Sequence, residues 1–243
     1  SLLRQLDRAE ALRTQVDLSR VRRYLRTMDG QVDRLAGLVN DLLDVSRIRT
    51  GRLELNLSRV DLILLVEAVL DRFEAVAEVQ IVDHNGPARH PHGSEHQADS
   101  DAKESGHVLV FRPEAEELTG HWDGARLEQV VTNLVANSLK YTPSGGEISI
   151  TVRQEEQDGV MAAVLDVKDP GIGMPPEQMT ELFQPFQRLN NAPAEHFSGL
   201  GLGLFISRDI VTRHGGQIWA ESPGPGKGAT FHVSLPLAGP AAE

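Results

Sequence analysis

Residues 127–140 read LEQVVTNLVANSLK, and the reading of this stretch decides the fold. Val130, Val131, Leu134, Val135 and Leu139 recur at helical spacing, and Asp123 stands where an N-cap belongs. The stretch therefore predicts a helix over 123–140. Asn133, Asn137 and Lys140 follow one another at spacings of four and three, which puts all three on one face. A single asparagine on a helix is ordinary surface. Two amides and an ammonium in register, set among apolar residues, are what a magnesium–phosphate site uses. An amide oxygen is a hard ligand for Mg2+, and a lysine is a counter-charge for phosphate.

Strand patterns flank this helix. HVLVFRP (107–113) precedes it, and EISITVRQ (147–154) and MAAVLDVKD (161–169) follow. Helical segments are expected at 176–183 and 201–214, the second ended by Gly215 and Gly216. GQIWAESPGPGKGATFHVSLP then reads as a strand, a Gly/Pro turn and a closing strand. Strands with helices between and after them, closed by hairpin-like connections, predict an α+β two-layer sandwich, a mixed sheet packed on helices.

Glycines mark three places. In DVKDPGIGM, Asp169 ends a strand and Gly171 and Gly173 follow, which suits a carboxylate facing an amino group with backbone close to a flat ring. HFSGLGLGLF (196–205) alternates glycine with leucine before a helix, and GKGAT (226–230) precedes the last strand. The middle segment is no dinucleotide fingerprint, since loop-like sequence precedes it and Leu204 stands where the last glycine should. Nor is there a P-loop, because Gly228 follows Gly226-Lys227 and Glu221 replaces the first glycine.

Toward the N-terminus, residues 61–77 read as an amphipathic helix and RLELNLSRVDL as an extended connector. Residues 83–106 hold almost no large apolar side chain and predict a mobile surface loop. Its His84, His90, His92 and His96 are irregularly spaced and have no cysteine partners, so a solvated loop is favoured over a metal site. Residues 18–49 predict one long helix. Val21, Leu25, Met28, Val32, Leu35, Val39 and Leu42 form a heptad seam along it, interrupted at Gly30. Residues 1–15 offer a short partner helix. An intramolecular hairpin and a hairpin that pairs with a second copy as a four-helix bundle both satisfy the seam, and the second is favoured.

The 243 residues carry a net charge of −11, which disfavours nucleic acid as a partner. Apolar content of 40% with 24% charge is that of an ordinary globular chain. The absence of cysteine removes disulfides and thiol nucleophiles. No apolar run approaches the roughly 18 residues of a membrane span and no signal peptide is visible, so a cytoplasmic location is expected. A start at Ser rather than Met suggests a piece of something longer.

Together, NLVANSLKYTP, DPGIGM, LFQPFQRL, GLGLGL and GKGATF resemble, in order and at the usual spacing, the N, G1, F, G2 and G3 boxes of the sensor histidine kinases. These belong to the superfamily of gyrase, Hsp90, histidine kinases and MutL, and the resemblance covers residues 58–237. Upstream, VDRLAGLVNDLLDVSRIRTGRLEL resembles the second helix of the dimerisation and phosphotransfer domain, with its connector. The resemblance implies a Bergerat-type ATP-binding fold over 58–238, after a partial helical hairpin and connector over 1–57. It implies Asn137 as a Mg2+ ligand with Asn133 beside it, and Lys140 and Tyr141 on the phosphates and ribose. Asp169 would accept from the adenine amino group, with Gly171 and Gly173 making room for the base. Phe183 and Phe186 would anchor an ATP lid over 187–200 that carries Arg188. Gly199, Gly201 and Gly203 would wrap the triphosphate while Leu200 and Leu202 tuck the hinge into the core, and Thr230 would complete the nucleotide contacts.

The same resemblance implies a kinase relaying phosphate to a response-regulator receiver domain, working as a dimer. In the ATPases of the superfamily, a Glu one turn before the metal-binding Asn serves as base for water. Asn133 holds that position, and an amide takes no proton at neutral pH, so transfer is favoured over hydrolysis. The chain departs from the family's pattern in lacking the acceptor motif H-E-L-R-T-P: its first histidine is His84. Residues 1–15 look like the tail of the first dimerisation helix, so the acceptor is expected before Ser1, and this stretch of chain alone should bind ATP without autophosphorylating. Pro170 also replaces a usual polar residue after Asp169, and the 83–106 loop is long. The alternatives are a nucleotide-binding regulatory module without phosphotransfer, and an ATPase or protein serine kinase of the same superfamily.

Overall fold

The computed structural model describes residues 18–77, 79–83, 106–157, 159–187 and 200–240. Its elements are α1 (Leu18–Arg49), β1 (Ser58–Asp61), α2 (Leu62–Ala77), β2 (Gln80–Asp83), β3 (His107–Pro113), β4 (Thr119–Trp122), α3 (Gly124–Lys140), β5 (Gly146–Gln157), β6 (Val160–Asp169), α4 (Pro176–Met179), α5 (Gly203–Arg213), β7 (Gln217–Glu221) and β8 (Ala229–Pro236). Six strands form one mixed sheet in the order β2-β3-β5-β6-β8-β7. The first three run parallel and the remaining pairs are antiparallel. Helices α2, α3 and α5 cover it through a core that includes Leu70, Leu134, Ile150, Leu165 and Ile210, each at most 1% exposed. This is the expected two-layer sandwich.

Three short strands were not expected: β1, β2 and β4, of four residues each. β1 pairs with β4 antiparallel, turning part of the supposed connector into a clamp. Strands this short carry little pattern of their own and exist because a distant partner supplies hydrogen bonds. The helix expected over 176–183 is confined to Pro176–Met179. Beyond it, Glu181 N–H donates to Gln178 O at 3.3 Å and Gln184 N–H to Glu181 O at 2.9 Å, three-residue steps that do not build an α-helix. The helix expected over 201–214 begins at Gly203 and ends at Arg213.

The long helix α1 spans the expected 18–49 region, and it carries two stripes rather than one. The heptad seam is open: Leu25, Met28, Val32 and Leu35 are more than half exposed, and Val39 and Leu42 nearly so. A second stripe, Leu38, Asp41, Asp44, Val45 and Ile48, turns inward. Asp44 is 5% exposed and accepts from Arg126 Nη1 at 3.1 and 3.0 Å and from Gln129 Nε2 at 2.9 Å. Arg213 Nη1 donates to Leu53 O at 3.1 Å, and Asn56 N–H donates to Asp123 Oδ2 at 2.8 Å. These bonds seat α1 and its connector against α3 and α5. The expected helix at 1–15 and the four histidines of the polar loop lie outside the described residues.

Candidate functional site

A cavity of about 280 Å3 opens between α3, the β6–α4 connection, α5 and the inner stripe of α1. Asn133, Asn137, Lys140 and Tyr141 contribute one wall, as their helical register requires. Asn133 Nδ2 donates to Ser207 Oγ at 3.0 Å, and Asn137 Nδ2 donates to Asn133 Oδ1 at 3.2 Å. The two amides thus form an oriented chain anchored on α5. With its Nδ2 engaged, the Oδ1 of Asn137 accepts no hydrogen bond among the described residues. Lys140 Nζ lies 4.9 Å from the centroid of the Tyr141 ring, a cation–π contact at the cavity edge.

Asp169 closes the opposite end. It is 5% exposed, and burial pushes its carboxyl above the ordinary carboxylate value, against backbone bonds from Gly171 and Ala229 and the Ser138 hydroxyl. Gly171 N–H donates to Asp169 Oδ1 at 2.9 Å. Ile172, Gly173, Met174, Ala229 and Phe231 line the adjoining space with largely apolar surface. A buried acceptor beside an apolar slot is suited to a flat heterocycle carrying an exocyclic amine.

Gly171 itself does not line the cavity. A Cβ there would collide with the carbonyl oxygen of Tyr141, to which Ile172 N–H donates at 2.9 Å. It therefore serves the crossing of two backbones rather than room for a base, a correction to the role expected of it. The alternating Gly-Leu run has two different reasons in its described part. Gly201 takes φ +70° beside the Gln187 carbonyl, while a Cβ on Gly203 would run into the Asn133 amide. Gly199 and Arg188 lie outside the described residues.

Helix α5 begins at the cavity with no side-chain cap on its first N–H groups, and Leu202, Gly203 and Leu204 line the wall. Uncapped donors and the positive end of a helix dipole favour negative charge. Leu202 is 1% exposed, whereas Leu200 is 38% exposed, and both line the cavity.

Two expected residues are placed elsewhere. Phe183 is 8% exposed and packs into the fold, whereas the Phe186 side chain is 55% exposed and is not among the residues that line this cavity. Its backbone is engaged instead: Phe186, at φ +66°, donates its N–H to Gly201 O at 2.9 Å, joining described residues on either side of positions 188–199. Thr230 sits between Ala229 and Phe231, which both line the cavity, so strand alternation sends its side chain to the other face of the sheet. Conversely, Leu38, Asp41, Gln178 and Leu182 line the cavity without having been expected. For Leu38 and Asp41 the available signal was the pair Asp41 and Asp44 within the largely apolar LVNDLLDV, three apart and so on one helix face.

Residues 122–239 match the family described as histidine kinase-, DNA gyrase B-, and HSP90-like ATPase. Over 215 residues the chain is 29% identical to the sensor histidine kinase WalK of Bacillus subtilis, a match covering 88% of this chain and 30% of WalK. It is 32% identical over 213 residues to the sensor histidine kinase RppB of Synechocystis, covering 88% of this chain and 40% of that relative. The chain thus spans well under half the length of these curated relatives. Among solved structures, full-length ShkA in complex with AMPPNP aligns with a TM-score of 0.66 at 25% identity, covering 95% of this chain and 41% of that one. Acinetobacter baumannii AdeS, described as a histidine kinase, aligns at 0.60 and 22% identity, covering 88% and 83%, a likeness of fold.

Proposed function

Because residues 122–239 form an ATP-binding domain of the histidine kinase-, DNA gyrase B- and HSP90-like ATPase family, we propose that this chain is the catalytic portion of a two-component sensor histidine kinase. In that reading residues 58–238 are the catalytic domain and 1–57 belong to a dimerisation hairpin. The observation that carries it is the amide chain Ser207–Asn133–Asn137 facing Asp169 across one cavity. Adenine sits in the slot beside Asp169, and the phosphates meet Lys140, Tyr141 and the uncapped start of α5.

The residues present fit a magnesium ion: Asn137 Oδ1 is a hard oxygen donor at the cavity, and Asn133 orients it. When bound, the ion neutralises phosphate charge. The chain's own part is positioning. A histidine nitrogen supplied from outside these residues attacks the γ-phosphorus, the bond to the bridging oxygen of the β-phosphate breaks, and ADP leaves. Phosphohistidine then passes its phosphoryl group to an aspartate of a response-regulator receiver domain. The open seam of α1 is the face on which two copies pair. Hydrolysis is the weaker reading, because Asn133 donates to Ser207 and cannot act as a base for water.

Calorimetry with a nonhydrolysable ATP analogue, with and without Mg2+, tests the site. Magnesium-dependent binding is expected, and no heat under either condition overturns the reading. Joined to a dimerisation segment that bears the acceptor, the protein should form acid-labile phosphohistidine. Asn137→Asp or Asp169→Ala should each abolish it; label that survives both substitutions refutes the site.

A further inference from the structure

Helix α1 is part of the wall of the nucleotide cavity. Leu38 and Asp41 share it with Asn133 and Asn137, one to two turns along α1 from the point where Asp44 grips Arg126 and Gln129. That grip is a latch: Asp44 is buried and takes three hydrogen bonds from α3, so releasing α1 leaves a cation and an amide to be rehydrated. Asp41 is different. It is half-buried, and its carboxylate has neither hydrogen bond nor ion pair among the described residues. The charged group that acts on it is another acid, Asp44, which adds to burial in raising its carboxyl above the ordinary value.

We propose that latched α1 is a charge gate on the nucleotide site, in which Asp41 opposes a triphosphate until the Asp44–Arg126–Gln129 latch opens. The inference rests on the nucleotide reading above. A like charge in a partly dehydrated wall acts on every phosphate within several ångströms, so its effect grows with the charge of the ligand. A triphosphate is opposed most, a diphosphate less, and an uncharged nucleoside not at all. Reciprocity then requires that a bound triphosphate weaken the seating of α1 by the same factor. Position of the helix and occupancy of the site become two readings of one equilibrium.

Titrating the full chain with adenosine, ADP and the β,γ-imido analogue of ATP, all with Mg2+, tests the gate. Asp41→Asn should tighten the triphosphate analogue about tenfold and ADP by less, with adenosine unchanged. Asp44→Asn, which weakens the latch while leaving the cavity wall intact, should tighten the triphosphate in the same direction. Amide exchange across residues 36–45 should quicken when the analogue binds the unaltered protein. Weaker triphosphate binding by Asp41→Asn, with reduced dependence on Mg2+, makes Asp41 a cation ligand and overturns the gate. Equal shifts for adenosine and the triphosphate also overturn it, since packing rather than charge would then be at work. If the unaltered protein binds none of the three, the nucleotide reading itself has failed.

Discussion

Two helices of this fold start in opposite ways. Helix α3 is sealed: Asp123 Oδ1 accepts from Arg126 N–H at 3.1 Å, its Oδ2 takes Asn56 N–H at 2.8 Å, and its own N–H donates to His214 Nε2 at 2.9 Å. Helix α5 is left open, with Leu202 at its N-cap and no side chain on its free N–H groups. One start binds the fold to itself and the other faces the cavity. The contrast separates the two ends: the orphan donors of α3 are met from within the fold, and those of α5 are left facing the cavity.

Unsealing the closed end should give the largest effect. Asp123→Ala removes a cap worth about 1 kcal/mol. It also removes the bond that the Asn56 N–H gives to the Asp123 carboxylate, a charge-assisted contact worth about 1.5 kcal/mol. Chemical denaturation should therefore show a loss of roughly 3 kcal/mol, with nucleotide affinity nearly kept in the protein that remains folded. A large fall in affinity at unchanged stability would break the contrast.

Narrowing the open end should do the reverse, and by less. Gly203→Ala puts a methyl group against the Asn133 amide, which cannot yield without breaking its bonds to Ser207 and Asn137. Affinity for an ATP analogue should drop about tenfold, or about 1.4 kcal/mol. Thermal stability should change little, since the helix propensity gained by alanine, at most about 1 kcal/mol, offsets much of the loss of those two amide bonds. Parallel losses of stability and affinity would show that this end, too, holds the fold together.

The same contrast explains what was legible in the sequence. Asn133, Asn137 and Lys140 could be read because helical period alone puts them on one face. Asp123 could be read because a cap is a local device. Asp169 and the glycine runs were legible as punctuation, although the reason for Gly171 was not, since it depends on where the Tyr141 carbonyl crosses. Thr230 was misplaced because motif position carries no strand phase, and Phe186 because its backbone rather than its ring makes the contact, to Gly201. The short strands β1, β2 and β4 exist through partners up to about sixty residues away. The inward stripe of α1 was hidden by the louder heptad seam, and with it Asp41, an acidic residue of the cavity wall.

The smallest expected effect tests the sealed end through pH. His214 is fully buried, with Nδ1 donating to Ile210 O at 2.8 Å and Nε2 accepting from Asp123 N–H. Both ring nitrogens are committed to the neutral form, because a second proton would turn the acceptor into a donor facing another donor. Burial accordingly holds its pKa below the ordinary value of 6.5, outweighing the Ile210 carbonyl and the Asp123 carboxylate, which act the other way. A histidine whose folded pKa is depressed contributes stability that is complete above about 6.5 and is lost as pH falls through the folded value. Melting temperature should thus decline between pH 7.5 and 5.5, and His214→Gln should flatten that decline while lowering the starting point. A profile as steep in the variant as in the unaltered protein would move the pH sensitivity away from the start of α3.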